Sequence, residues 1–308
     1  MSALRLIFAL CAFTLLAAPV GAQQSIKVVA SFTVLADMAT QIGGDLVEVV
    51  TLVGPNGDAH VYQPTPQDAR NVAIADVVLV NGLGFEGWLN RLIAASGFKG
   101  APVVASRGIV VRQMDDDHGH GGHSHGAAAK KKINDPHAWN SAARAQVYAR
   151  NIGDALVAAR PAHAAALRAS TDAYIARLKA LDQFARDELG AIPKAQRRAI
   201  TSHDAFGYLE AEYGVVFIAP VGLSTEAEAS AQDVARLIRQ IKREKIRAVF
   251  VENISDQRLV RRIAEEAGAV VGGNLYSDAL SGKDGPAATY EAMMRHNVAT
   301  LKAGLLGQ

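Results

Sequence analysis

Short apolar runs alternate with longer amphipathic stretches along the chain from Ser25 onward. The runs are rich in β-branched residues, which favours strands, whereas the amphipathic stretches carry apolar residues at helical spacing. The predicted strands cover residues 26–30, 47–53, 77–80 and 103–105 in the first half, and 199–202, 215–218, 248–251 and 269–271 in the second. Short apolar strands separated by helices predict βα units with parallel sheets.

One of the predicted helices is unusually long. Residues 162–190 contain no internal helix breaker and would form a helix on the order of 40 Å long. We therefore expect an α/β protein with two βα domains, 23–160 and 191–308, joined by one long backbone helix at 161–190. The other predicted helices cover 34–42, 87–96, 141–159, 229–244, 256–267 and 287–305, with one more that ends at Tyr213 and one that begins at Pro66 behind the N-cap Thr65.

The N-terminus has the pattern of a secretory signal peptide. Arg5 gives a positive start, residues 6–17 form an apolar run of signal-peptide length, and residues 20–22 form a small-residue cleavage site. We expect residues 1–22 to be removed and the mature protein to be periplasmic. The single cysteine, Cys11, lies inside the apolar run, so the mature chain would have no disulfide and no thiolate metal ligand.

The charge balance argues against polyanionic partners. The chain has 32 Lys and Arg residues against 30 Asp and Glu residues, so no net field attracts nucleic acid or an anionic membrane. Beyond the signal sequence, no stretch reaches the roughly 18 apolar residues that a membrane span requires. We expect a monomer without a nucleic-acid partner.

Four of the nine histidines lie close together in one segment, residues 115–132. His118, His120, His123 and His125 are spaced by Gly and Ser and follow three aspartates. A segment with so little apolar surface is predicted to be a mobile loop. Neutral imidazole is a common metal ligand, so we expect this loop to collect metal. The alternative is a solvated loop without a role.

Four other residues lie in loops that follow predicted strands: His60, His137, His203 and Asp278. Ligands of parallel α/β sheets collect at the carboxyl ends of the strands, where the two halves would face each other. Three imidazoles and one carboxylate suit Zn²⁺, with Mn²⁺ and Fe²⁺ as alternatives. His163 and His296 lie in amphipathic helices, and we expect both to be without a functional role.

The order of motifs along the chain resembles a known family. The motifs are GDAHVYQPTPQD, NGLGFEGWL, the histidine-rich loop, DPHAWNS, TSHDAFGYLEAEYGV, VFVENISDQ and NLYSDALS. Together they resemble the zinc-binding solute-binding proteins of bacterial ABC transporters, a cluster that also contains manganese and iron receptors. The resemblance covers essentially the whole mature chain. It implies two βα domains joined by a long helix, with metal bound in the cleft by His60, His137, His203 and Asp278.

The third of these ligands bears on the choice of metal. Manganese receptors of the resembled family tend to carry Glu at the position of His203, so an imidazole there favours Zn²⁺. Many zinc receptors also have a cysteine pair in the second domain, which this chain lacks. The subfamily therefore stays open. Asp204, Glu226 and Glu252 are candidates for orienting a ligand imidazole, with ordinary cap or surface carboxylates as the alternative.

The resemblance implies a periplasmic zinc receptor without catalytic activity. It would deliver Zn²⁺ to a membrane permease driven by a cytoplasmic ATPase, and a periplasmic metal carrier is a second candidate partner. We expect the segment 277–286 to be mobile and to govern release.

Three alternatives stay open. The first is a manganese or iron receptor of the same family. The second is a secreted zinc hydrolase, which four protein ligands and the lack of an HExxH motif disfavour. The third is a metal buffer that works without a transporter.

Overall fold

The computed structural model describes residues 25–115, 132–223, 225 and 229–308. It contains two four-stranded parallel sheets, one from each half of the chain. Within the described ranges, no helix combines the length and the apolarity that a membrane span requires. The predicted α/β fold with two βα domains and a long helix between them is confirmed.

The first sheet has the strand order β2-β1-β3-β4. The central strand β1 pairs in parallel with both neighbours, with Val28 opposite Val49 on one side and Val77 on the other. Nearly every residue of β1 is buried, as expected for a parallel sheet that is covered on both faces. The elements of this half are β1 Ile26–Phe32, α1 Thr33–Gly43, β2 Val47–Val53, α2 Pro66–Ala73, β3 Val77–Val80, α3 Leu89–Ser96 and β4 Val103–Val104.

The start of α2 agrees with its predicted cap. Asp68 N–H donates to Thr65 Oγ1 at 3.3 Å, and Thr65 N–H donates to Asp68 Oδ2 at 2.6 Å, which together form a capping box. Pro66 occupies the first helical position, where a backbone N–H would have no intrahelical partner. The N-cap contributes about 1 kcal/mol and fixes the end of the loop that carries His60.

A short antiparallel hairpin flanks the histidine-rich segment. β5 Gln113–Asp115 pairs with β6 Lys132–Asn134. Strands of three residues are too short to leave a periodic pattern in the sequence, so this pair was not predicted. The predicted loop 115–132 therefore has both end residues in paired strands. The remainder, residues 116–131 with His118, His120, His123 and His125, lies outside the described residues.

Two long helices connect the sheets, α4 Ala142–Ala159 and α5 Ala164–Gly190. The predicted helix 162–190 thus begins two residues later, after a 3₁₀ turn at Pro161–His163. The 27 residues of α5 span about 40 Å. The two helices pack closely at Gly153, where an added Cβ would lie 2.2 Å from Thr171 Oγ1. Only glycine fits this contact.

The second sheet has the strand order β10-β9-β7-β8, and all its pairs are parallel. Its elements are β7 Arg198–Ile200, α6 Gly207–Tyr213, β8 Val216–Ile218, α7 Ala231–Glu244, β9 Ala248–Glu252, α8 Gln257–Ala267, β10 Val270–Leu275 and α9 Tyr290–Leu306. The strand predicted at 199–202 ends at Ile200, so His203 follows it at a distance of three residues rather than directly.

The last strand differs from its prediction. Residues 269–271 were expected to form it, but β10 continues to Leu275. The adjacent glycines end the β-branched pattern without ending the strand. Gly273 has φ +141°, the register shifts there, and a Cβ on Gly272 would lie 3.1 Å from Gly304 Cα of α9. The glycines therefore permit α9 to approach β10 closely, and the longer strand brings Asp278 near the end of the sheet.

The larger of two hydrophobic core clusters runs from one half of the chain into the other. It includes Phe32 of β1, Trp139, Leu275 of β10 and Tyr290 of α9, all of which are almost completely buried. A smaller second cluster around Val249 and Ile263 lies within the second half. Because apolar side chains of both halves share one core, the two sheets are held by burial as well as by the long helix.

Candidate metal centre

Four side chains from four separate loops converge between the two sheets. One potential ligand atom from each of His60, His137, His203 and Asp278 lies within 4.8 Å of all the others. His60 is 8% exposed, and the other three are 0–1% exposed. The structure therefore brings together all four residues that the sequence singled out. It is the one such group of at least three His, Cys, Asp or Glu residues among those described.

The three imidazoles present the same nitrogen to the carboxylate. Asp278 Oδ2 lies 3.2 Å from His60 Nε2 and 3.2 Å from His203 Nε2, and Asp278 Oδ1 lies 3.7 Å from His137 Nε2. His60 Nε2 and His137 Nε2 are 3.2 Å apart. Bonds of about 2.0 Å in a tetrahedral metal site would place the ligand atoms about 3.3 Å apart. The spacing thus fits a first-row divalent cation.

The carboxylate of Asp278 supports the same interpretation. Both of its oxygens are buried, and neither accepts a well-directed hydrogen bond from the described part of the chain. A buried carboxylate without such donors is costly unless a cation compensates its charge. Metal binding would supply that compensation.

Two further carboxylates orient the imidazoles of His203 and His137. Glu252 Oε2 lies 2.7 Å from His203 Nδ1, and its Oε1 accepts the backbone N–H of His203 at 3.0 Å. Asp135 Oδ1 lies 3.0 Å from His137 Nδ1 and accepts the backbone N–H of His137 at 3.0 Å. A carboxylate on Nδ1 keeps one proton there, so Nε2 is the nitrogen left to bind a metal.

Burial and charge set the protonation of this cluster in opposite ways. Burial alone would lower the pKa of His203, but the carboxylates of Glu252 and Asp278 outweigh it and hold that pKa well above its usual value. Burial lowers the pKa of His60. Although burial opposes it, the neighbouring His137 and His203 hold the pKa of Asp278 well below its usual range. The cluster therefore combines an ionised carboxylate with a proton on His203 that a metal must displace.

The loop that carries His60 is tied to both halves of the protein. Asp58 Oδ1 accepts the backbone N–H of His60 at 2.9 Å, and Asp58 Oδ2 accepts the hydroxyl of Thr225 at 2.6 Å. The His60 ring packs edge-on against Phe85, with ring centroids 4.8 Å apart. Trp88 Nε1 donates to Ala59 O at 2.7 Å. These contacts fix the least buried of the four candidate ligands.

The segment that carries Asp278 is buried and firmly bonded. Trp139 Nε1 donates to Ser277 O at 2.7 Å, and Leu280 N–H donates to Thr33 Oγ1 at 2.8 Å. Tyr276 N–H donates to Asn297 Oδ1 at 2.9 Å. Buried segments with many hydrogen bonds open rarely, which argues against mobility of residues 277–281. The rest of the segment expected to be mobile, residues 282–286, is partly or fully exposed.

The remaining candidates have different positions. Burial and the neighbouring Asp135 raise the pKa of Asp204, which is half-buried; among the described residues the ion pairs of His203 are with Glu252 and Asp278 instead. Glu226 lies outside the described residues. His296 Nε2 lies 3.0 Å from Asn274 O and joins α9 to β10, as befits a structural residue. His163 lies in the turn before α5.

The sequence analysis missed Asp135 as a residue that orients His137, although its place two residues before His137 was a usable signal.

The fold and the site together define a class of protein, the metal-binding receptors. This class has two βα domains with a buried cluster of metal ligands between them, here three histidines and one carboxylate. The chain belongs to the family described as ZnuA, zinc-uptake complex component A, periplasmic, which it matches over residues 28–304.

Proteins similar in sequence to this chain are named for different metals. The iron-binding protein YfeA of Yersinia pestis is 35% identical over 289 residues, which is 93% of this chain and 88% of that protein. The manganese-binding lipoprotein MntA of Bacillus subtilis is 32% identical over 289 residues, which is 92% of this chain and 91% of that protein.

Solved structures of periplasmic metal-binding proteins have the same fold as this chain. The periplasmic zinc-binding protein TroA of Treponema pallidum superposes with a TM-score of 0.81 at 28% identity, over 92% of this chain and 99% of that one. A manganese-bound periplasmic metal-binding protein of Candidatus Liberibacter asiaticus gives a TM-score of 0.77 at 28% identity, over 90% and 98%. The chain is thus a metal-binding receptor of an ABC transporter, a class that acts outside the cytoplasm and works with a membrane permease.

Proposed function

We propose that this chain is the zinc receptor of its transporter and that His60, His137, His203 and Asp278 are the four zinc ligands. The convergence of four buried ligand atoms within 4.8 Å carries the proposal. The carboxylates on His203 and His137 support it, because each holds a proton on Nδ1 and so makes Nε2 the metal-binding nitrogen.

The kinds of ligand favour zinc. Three nitrogen ligands and one carboxylate form a set that Zn²⁺ binds comfortably in tetrahedral geometry. At nitrogen-rich sites the Irving–Williams order also places Zn²⁺ above Mn²⁺ and Fe²⁺. Four protein ligands leave no position for the water that a catalytic zinc keeps, which supports binding and delivery rather than hydrolysis.

A manganese or iron receptor is the second candidate. The relatives named for iron and for manganese are 35% and 32% identical to this chain, whereas the solved structure named for zinc is 28% identical. The site offers one physical reason as well, since both Asp278 oxygens face the cluster and a bidentate carboxylate would raise the coordination number. Mn²⁺ and Fe²⁺ accept such oxygen-rich, higher coordination more readily than Zn²⁺ does.

The deciding experiment is equilibrium dialysis of the metal-free protein against Zn²⁺, Mn²⁺ and Fe²⁺ together under anaerobic conditions, followed by measurement of bound metal. We expect one tightly held zinc per chain. His203→Ala should abolish this tight binding, whereas His163→Ala, which removes a histidine outside the cluster, should leave it intact. One retained manganese or iron would establish the second candidate. No tight metal in the unaltered protein would refute the four-ligand site.

The histidine-rich segment is proposed to collect metal for this site. His118, His120, His123 and His125 lie in a segment whose ends are held together by β5 and β6. Only residues 135 and 136 separate β6 from His137. Metal held on this segment would therefore stay close to the cluster and raise its local concentration.

The remaining features of the proposal concern the cellular setting. Residues 1–22 would direct the chain to the periplasm, where the monomer would receive zinc, in part from a metal carrier, and pass it to the permease. We also propose that the mature chain divides into a first βα domain at 23–160, a linking helix at 161–190 and a second βα domain at 191–308. A metal buffer would leave zinc uptake by cells unchanged when its gene is deleted, whereas a receptor gene is required for uptake at low external zinc.

A further inference from the structure

Asn253, the residue after β9, contacts the segment that carries Asp278 (the Asp278 segment, residues 276–281) and the last strand before it. Its backbone N–H donates to Leu275 O at 3.1 Å, at the end of β10. Its side-chain amide donates to Ala279 O at 3.1 Å, directly beside Asp278. The end of β9 is thus bonded to the chain on both sides of Tyr276–Asp278.

The same side-chain amide also reaches the loop that carries His60 (the His60 segment, residues 54–60). Asn253 Nδ2 donates to Asn56 Oδ1 at 3.1 Å. A backbone bond lies alongside, since Asn56 N–H donates to Leu280 O at 3.0 Å. One amide therefore connects two ligand-bearing segments that come from opposite halves of the chain.

The orientation of this amide follows from its partners. Ala279 O is a carbonyl oxygen and can only accept, so the Nδ2 side of Asn253 must face it. Nδ2 has two hydrogens, and the second one is directed at Asn56 Oδ1. An amide NH₂ group carries two donor hydrogens, so one nitrogen can make both bonds at once.

Asn56 is also adapted to this contact. Its backbone has φ +56°, in the left-handed region that Asn, Asp and Gly occupy more readily than other residues. The loop therefore favours one of these residue types, and of the three only Asn and Asp present a side-chain acceptor to Asn253.

We propose that Asn253 is a positioning residue that clamps the His60 segment to the Asp278 segment and thereby slows metal release. The inference rests on the proposed four-ligand site. His60 and Asp278 approach each other to 3.2 Å, and they belong to different halves of the protein. Any separation of the two segments would pull at least one ligand from the metal. The clamp opposes that separation without touching the metal.

The test is the rate of Zn²⁺ release from the full mature chain into an excess of a chelating dye, followed by stopped-flow absorbance. Asn253→Ala should release zinc about three- to tenfold faster, which is the effect of losing hydrogen bonds between neutral groups while the parallel backbone bond remains. Asn56→Gly should accelerate release to a similar or smaller extent, because it removes the acceptor and still permits the positive φ.

Matched variants separate positioning from general stability. Asn56→Asp retains the acceptor oxygen and the backbone conformation, so release should stay at or below the unaltered rate. Asn71→Ala removes an asparagine whose side chain accepts from Gln67 within α2 and should leave the release rate unchanged. The double variant Asn56→Gly/Asn253→Ala should release zinc no faster than Asn253→Ala alone, because both changes remove the same connection. The metal-free melting temperature should differ little between Asn56→Gly and Asn56→Asp.

Two outcomes would overturn the inference, and a third is distinct from both. Release at the unaltered rate from both Asn253→Ala and Asn56→Gly, each with one zinc bound, would show that the clamp does not control dissociation. Multiplying effects in the double variant would show that the two residues act separately. If the unaltered chain bound no zinc tightly, the four-ligand site itself would fail, and the clamp would fail with it.

Discussion

Replacing Glu252 by Gln would test how the site prepares His203 for metal. Glu252 Oε1 accepts two backbone N–H groups, from Ser202 at 2.7 Å and from His203 at 3.0 Å, and Gln can retain both. The 2.7 Å contact between Oε2 and His203 Nδ1 would be lost, because an amide NH₂ cannot accept the Nδ1 proton. A hydrogen bond to a charged group contributes about 1.5–3 kcal/mol, so zinc affinity should fall about 10- to 100-fold.

Competition with a chelating dye at pH 7 would measure the affinity, and calorimetry in two buffers of different ionisation enthalpy would count released protons. The unaltered protein should release about one proton per zinc from His203, whose pKa is well above its usual value. Glu252→Gln should release less, since the carboxylate is one cause of that raised pKa. Glu86→Gln is a suitable control, because Glu86 is also buried and its carboxylate accepts from Ser31 and from the backbone N–H groups of Asn81 and Gly82, with no ion pair to an imidazole among the described residues. Unchanged affinity and proton release in Glu252→Gln would refute the reasoning.

Three further outcomes are expected. Zinc affinity should rise about tenfold per pH unit between pH 6 and 7, because binding displaces the His203 proton while the lowered pKa of His60 keeps that ring neutral; a flat titration profile would contradict this. Gly153→Ala should destabilise the protein by about 1–3 kcal/mol in chemical unfolding through its clash with Thr171, and a combined Gly153→Ala/Thr171→Ala variant should recover part of the loss. Replacing residues 116–131 by a short Gly-Ser linker should leave one tight zinc per chain in dialysis but slow its capture at low zinc; loss of the tight site would contradict the proposed division of roles.

The positions of the four candidate ligands could be predicted because each lies in a local sequence motif after a strand. The parallel sheets could be predicted for a similar reason, since β-branched runs such as β3 carry a strong local signal. Where the signal is interrupted, the prediction was wrong. The glycines of β10 hid the second half of that strand, because their role is to admit Gly304 of α9, a contact that depends on residues about thirty positions away.

Contacts between distant residues could not be predicted from one sequence. Asn56 and Asn253 are 197 positions apart, and neither has a neighbour that marks it as part of a pair. Glu252 was only one of three carboxylates considered for orienting an imidazole, because its distance to His203 is set by the pairing of β7 with β9. Local motifs identify ligands, whereas the residues that hold ligands in place are selected by tertiary packing.

The core shared by both halves couples metal binding to the survival of the protein. Because Trp139, Leu275 and Tyr290 belong to one cluster, the halves are expected to unfold together, and a ligand bound between them stabilises the entire chain. At a free metal concentration 100 times Kd, that stabilisation is about 2.7 kcal/mol. Globally unfolded molecules, which proteases cleave, then become about a hundredfold rarer. The abundance of the receptor would in this way follow the supply of its own cargo, without any separate sensor.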